Sequence, residues 1–217
     1  MWYNLRMKNA KKIRVLILLA TLSASILMIS NIVAVKLWDF FGIAVDGGII
    51  VFPLTYVLGD LIMELYGKKI ANYIIYMSFF VNVLAVLIFA MVGLLPEYAG
   101  WGNQEAYNTI LGFMPRVAMA SLMAFVLSGL MNNYIFEKIK KRTGEKKLWM
   151  RFIGSSLVAK FVDSLIFETI AFLGVLSFSE FLAQAGFAYF AGVLLEIVLI
   201  PVSYFVVKKL KKYEISD

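Results

Sequence analysis

The run VLILLATLSASILMISNIVAV, from Val15 to Val35, contains no charged residue, and it decides the fold class. A bilayer core about 30 Å thick is crossed by a helix of about 20 mostly apolar residues, so this run reads as a first spanning helix. The basic stretch before it, Arg6, Lys8, Lys11, Lys12 and Arg14, gives it a superficial likeness to a secretory signal. A signal core has about 7–15 apolar residues and ends at a small-residue cleavage site; this run is longer and shows no convincing site.

Outward from it, five further segments have the same character, and the six expected spans are Ile13–Val35, Ile49–Tyr66, Ile70–Leu95, Val117–Phe136, Phe152–Leu176 and Leu182–Val207. Composition agrees: 62% of the 217 residues are hydrophobic and 16% are charged, where soluble domains carry about 25% charged residues. Mean hydropathy is +0.84. The expected architecture is an all-α membrane protein with six transmembrane helices. One transmembrane domain, residues 15–207, lies between a basic N-terminal tail, 1–14, and a C-terminal tail, 208–217.

Lys and Arg accumulate on cytoplasmic flanks of spans. If both termini are cytoplasmic, 18 of the 21 basic residues fall inside: the N-terminal group, Lys68 and Lys69, the seven between Lys138 and Arg151, and the four from Lys208 to Lys212. Only an even number of spans allows this alternation. The loop from Gly93 to Met114 then faces outside. Lys36, Arg116 and Lys160 break the rule and become candidates for function. Snorkelling to lipid headgroups is the competing account for Lys36 and Arg116.

The chain has no cysteine and no histidine, which excludes disulfides, thiolate chemistry and histidine acid–base or metal chemistry. The +7 net charge reports topology and not nucleic acid, because no aromatic–basic groove accompanies it. The composition therefore implies no catalytic site, no cofactor and no metal. Of membrane-protease arrangements only an aspartate pair would remain, and Asp60 with Asp163 is the pair that such a reading would need.

Carboxylates at mid-bilayer cost about 3 kcal/mol or more each, so they normally face a protein interior or a watery cavity. Pro53, Tyr56, Asp60 and Glu64 fall at i, i+3, i+7 and i+11, on one face of a helix that Pro53 should kink. Glu64 lies close to Lys68 and Lys69, and the alternative reading is that it merely reaches the cytoplasmic interface. In the fifth span Ser156, Lys160, Asp163 and Phe167 fall at i, i+4, i+7 and i+11. Lys160 can pair with Asp163 on its own helix or with Glu196 across helices. Glu168, five positions from Asp163, reads as pointing elsewhere, toward another helix or a partner in a homodimer. Tyr56 and Phe167 are the aromatics expected to stack on a ligand.

At these residues the sequence resembles a known family. Ser30-Asn31-Ile32-Val33-Ala34-Val35-Lys36, then Phe52-Pro53-Leu54-Thr55-Tyr56-Val57-Leu58-Gly59-Asp60 and Glu64-Leu65-Tyr66-Gly67, are similar to the queuosine precursor transporter family, also called vitamin-uptake-transporter-like. Later blocks, including Pro115-Arg116, Leu148-Trp149-Met150-Arg151, Asp163-Ser164 and Pro201 with Tyr204, extend the resemblance over roughly Ser30–Lys212. It implies six helices in a bacterial inner membrane and uptake of a 7-deazaguanine small molecule, most simply by secondary transport. A substrate-capture subunit of an energy-coupling-factor importer is the alternative; it would need an ATPase in trans, since no ATP-binding loop occurs here.

A guanine-type edge presents a ring N–H beside an exocyclic amine, and one carboxylate accepts both in a fork. Asp60 and Asp163 suit the fork, with Asn31 and Lys36 as supporting polar groups, and Arg116 and Glu196 complete the candidate set. The chain departs from the family pattern at Lys160, where glutamine is common, at Gly129 and Asn132 within a Ser-Gln-x-x-Asp block, and at Ile200 before the last proline. Proton- and sodium-coupled carboxylates read alike in one-letter code, so the coupling ion stays open.

Overall fold

The structure, a computed structural model, describes residues 2–41, 43–112, 115–144, 147–173 and 177–215. The elements in chain order are α1 (Trp2–Val33), β1 (Leu37–Phe40), β2 (Ile43–Asp46), α2 (Gly48–Val51), α3 (Pro53–Tyr66), α4 (Lys68–Gly93), α5 (Gln104–Tyr107), α6 (Pro115–Thr143), α7 (Leu148–Phe172) and α8 (Phe178–Ile215). A π-helical turn, Asn108–Gly112, follows α5 inside the long loop.

Among the described residues, five stretches are long and apolar enough to cross a membrane: Ala10–Val33, Gly48–Tyr66, Lys68–Gly93, Met119–Thr143 and Phe181–Leu210. The expected fifth span corresponds to α7, which is outside that set because Arg151, Lys160, Asp163 and Glu168 load it with charge. Its apolar side is nonetheless outward: Leu157, Val158, Phe161 and Leu165 are exposed, whereas Arg151, Lys160 and Glu168 are buried. Such inversion, with ionisable groups inside and apolar groups outside, suits a helix whose solvent is lipid. α4 and α8 repeat it, with Phe80, Leu84, Leu87 and Met91 on one and Phe190, Leu194, Val198 and Phe205 on the other turned outward.

The second expected span is broken in two. Proline has no N–H to donate, so α2 ends at Val51 and α3 begins at Pro53, with Phe52 joining them in helical conformation. α3 then runs through the centre of the bundle, packing against α1, α4, α6 and α8. It buries Tyr56, Asp60 and Glu64 along with Leu58, Leu61, Ile62 and Met63. At its end the chain reverses into α4 at Gly67, whose φ of 81° is open to glycine at little steric cost.

Among the described residues the core forms two clusters. One gathers Val15, Leu19, Leu61, Ile62, Ile74, Phe136, Phe152 and Val207; the other gathers Leu27, Ile75, Leu122 and Phe125. An antiparallel hairpin, pairing Leu37 with Asp46 and Phe40 with Ile43, interrupts the helical architecture between α1 and α2. In the sequence this segment reads as a short connection between two spans.

Candidate functional site

A cavity opens where the C-terminal end of α1, the end of the hairpin, α2 and the start of α3 meet α6, α7 and α8. Its volume is about 120 Å³; on this scale one water needs about 10–15 Å³, so it has room for about ten non-hydrogen atoms. Ser30, Asn31 and Asp46 border it from the hairpin side, and Phe52, Pro53 and Tyr56 from the broken helix. Ser121 and Ala124 come from α6, Lys160, Asp163, Ser164, Phe167 and Glu168 from α7, and Ala188 and Gly192 from α8.

Of the residues picked out by sequence, Asn31, Tyr56, Lys160, Asp163 and Phe167 share this wall. Asn31 is fixed by two neighbours: its Oδ1 accepts from Ser121 Oγ at 2.6 Å, and its Nδ2 donates to Asn82 Oδ1 at 3.4 Å. Tyr56 Oη donates to Ser128 Oγ at 3.0 Å, and Ser128 Oγ donates to Asp163 Oδ1 at 3.0 Å. The serine thus links the central helix to the cavity carboxylate. The Lys160 ammonium lies 3.2 Å from Glu196 Oε2 and 4.1 Å from the centre of the Tyr56 ring. Its ion pair is therefore the across-helix one. Phe52 stands edge-on to Tyr56, centroids 5.8 Å apart.

The remaining candidates lie elsewhere. Asp60 is buried one turn further along α3, off the cavity wall, and accepts from Asn132 Nδ2 at 2.6 Å. Glu64 sits about 12 Å from Tyr56 along the helix axis. Its Oε2 meets Lys140 Nζ at 3.1 Å and Arg151 Nη2 at 3.0 Å, which ties α3 to α6 and α7. Arg151 also donates to the Gly144 carbonyl and faces the Phe136 ring. Ser156 is buried one turn before Lys160, Glu196 pairs with Lys160 behind the wall, and Lys36 is exposed. The Arg116 side chain lies outside the described residues.

Two carboxylates on the wall carry no sequence-based assignment to it. Glu168, expected to point away from Asp163, borders the same cavity. At 100° per residue the two are about 140° apart around α7, and Ser164 and Phe167 fill the arc between them, so the cavity wraps one side of the helix. Asp46 falls outside the spans, and only its position in Asp46-Gly47-Gly48 hints at a turn. Asp46 Oδ1 accepts the Gly48 N–H at 2.8 Å. A Cβ on Gly48 would come within 2.7 Å of that oxygen and 3.1 Å of the Ser30 carbonyl. Burial pushes the Asp46 carboxyl above its ordinary range, opposed by backbone N–H groups at Gly48, Ile49 and Asp46 itself.

Comparison with known proteins follows the same residues. Positions 46–206 match the family described as "putative vitamin uptake transporter". A "Probable queuosine precursor transporter" of Bacillus subtilis (strain 168) is 30% identical over 191 residues, which cover 87% of this chain and 82% of that one. The "Queuosine precursor transporter" of Escherichia coli (strain K12) is 24% identical over 134 residues, 62% of this chain and 58% of that one. A Haemophilus influenzae relative, "Probable queuosine precursor transporter", is 24% identical over 163 residues, 74% and 67% of the two chains. No solved structure matches. The matched segment runs from the hairpin Asp46 through the whole cavity wall of α3, α6 and α7 into α8, and this multi-pass membrane protein belongs to the vitamin uptake transporter family whose pattern its central helix carries.

Proposed function

We propose that the protein takes up queuosine precursors or salvage forms, 7-deazaguanine bases, as a secondary transporter, and that the cavity binds them. The observation that carries this reading is the placement of Asp163. Its Oδ1 accepts one hydrogen bond from Ser128, and a carboxylate has about four lone-pair sites. It can therefore still accept a ring N–H and an exocyclic amine in a charge-assisted fork. Phe52, Tyr56 and Phe167 supply aromatic surface for a planar ring. Asn31, with one amide proton left after its bond to Asn82, can address a carbonyl. The volume suits a free base better than a nucleoside.

The names of the relatives support the substrate class. The topology that goes with this function has six spans, α7 included, with both termini cytoplasmic. Burial of Arg151, Lys160 and Glu168 within the bundle supports counting α7 as a span despite its charged composition. The test is a thermal-shift and equilibrium-binding screen of the purified protein against 7-deazaguanine bases, their nucleosides and guanine. Preferential stabilisation by the bases supports the reading. Stabilisation by none of them overturns it. Co-purification of an ATPase and a transmembrane coupler would replace the secondary mechanism with the capture-subunit one.

A further inference from the structure

The cavity is more acidic than a fork for a neutral base requires. Asp46, Asp163 and Glu168 all border it, and Lys160, the cation on its wall among the described residues, is already paired with Glu196. Glu168 is 2% exposed, and its Oε2 is shielded from water with no hydrogen-bond partner among the described residues. Shielded carboxylate oxygens are normally hydrogen-bonded or ion-paired. Asp46 and Asp163, both acidic, lie near enough to Glu168 to act on it electrostatically. Among the described residues, no group of three or more His, Cys, Asp or Glu side chains is arranged to hold a metal ion.

Along α7, Asp163 and Glu168 are separated by five residues, an axial rise of about 7.5 Å, which is comparable to the length of a bicyclic base. We infer that Glu168, with Asp46 beside it, forms a second subsite that takes a protonated amine carried on the far end of the ligand. This rests on the reading of the cavity as a deazaguanine site. An ammonium brings both the N–H donor and the positive charge that the described residues do not supply at Glu168 Oε2. Asp46, whose Oδ1 is held by the Gly48 N–H, is preorganised to face it. Asp163 recognises the guanine-type edge, and Glu168 distinguishes cationic from neutral substituents at position 7.

The experiment compares two probes of nearly equal size, 7-aminomethyl-7-deazaguanine, which is cationic, and 7-cyano-7-deazaguanine, which is neutral. Their affinities are measured on wild type, Glu168→Gln and Asp46→Asn. Wild type should favour the amine, and Glu168→Gln should cut the amine-to-nitrile affinity ratio by about ten- to a hundredfold, the worth of a charged hydrogen bond. Asp46→Asn should cut it by less, and it reports independently if Glu168→Gln yields little folded protein. A ratio unchanged in both variants, or an equal loss for both probes, overturns the inference while the nitrile still binds Asp163 and the deazaguanine reading stands. Binding of neither probe to wild type overturns that reading, and the inference with it.

Discussion

Lys160 on α7 and Glu196 on α8 place opposite charges 3.2 Å apart, each side chain about 95% shielded from its surroundings. Neutralising one partner of such a pair strands the other, at a cost of about 3–5 kcal/mol. Lys160→Gln or Glu196→Gln alone should therefore lower the melting temperature sharply, and the double variant should recover most of the loss. Because Lys160 also faces the Tyr56 ring on the cavity wall, the double variant should still show altered ligand affinity. Additive losses in the double variant would mean that the pair carries no coupling.

The two aspartates are equivalent in sequence and unequal in space. Asp163 borders the cavity, whereas Asp60 is satisfied by Asn132 one turn below it. Asp163→Asn should weaken deazaguanine binding by about 1.5–3 kcal/mol, roughly ten- to a hundredfold, with normal membrane expression. Asp60→Asn should act mainly on stability. Wild-type affinity in the Asp163 variant would remove the central claim about the fork.

Glu64 holds two cations from two helices, and Arg151 beside it is 1% exposed. Glu64→Gln leaves that guanidinium buried without its carboxylate, so unfolding should become easier by about 3–5 kcal/mol. The surviving protein should bind ligand as wild type does, since the cavity is about 12 Å away along α3. Denaturation and binding measured on one preparation decide it: a binding defect without a stability defect would put Glu64 back in the site.

Burial raises the pKa of Asp46, so the folded chain holds that proton more tightly than the unfolded chain does. By linkage this contribution to stability is fully present below the unfolded carboxylate range and is lost as pH rises through the folded value. Asp46→Asn keeps an acceptor for the Gly48 N–H and removes the titration. The melting temperature of the variant should fall less than that of wild type as pH rises from the acid side. Parallel pH profiles would show that Asp46 does not titrate differently on folding.

From the charge distribution the α6–α7 connection is expected inside and the α4–α5 loop outside. A cysteine at the exposed position Lys141 should be protected from an impermeant maleimide in intact cells, and one at the exposed position Tyr98 should react. The reverse pattern would invert the topology.

Hydropathy alone was enough to read the membrane class, because apolar runs of spanning length need no tertiary partner to be recognised. It marks six stretches, and five of them coincide with helices that are long and apolar enough to span among the described residues, while the run Pro53-Leu54-Thr55-Tyr56 points to the family. It also grouped Tyr56 with Asp60 and Lys160 with Asp163, since residues at helical spacing share a face in any helix. What those faces meet depends on how the helices pack. Lys160 with Glu196, Asp60 with Asn132 and Glu64 with Arg151 are joined between helices, over separations of up to 87 residues, which no helical spacing encodes. The same holds for Asp46 and Glu168, which the hairpin and the wrap of the cavity around α7 bring to one wall. Helical periodicity fixes direction around a single axis; only the packing of several axes decides whether a buried carboxylate ends at a cation, an amide or an open cavity.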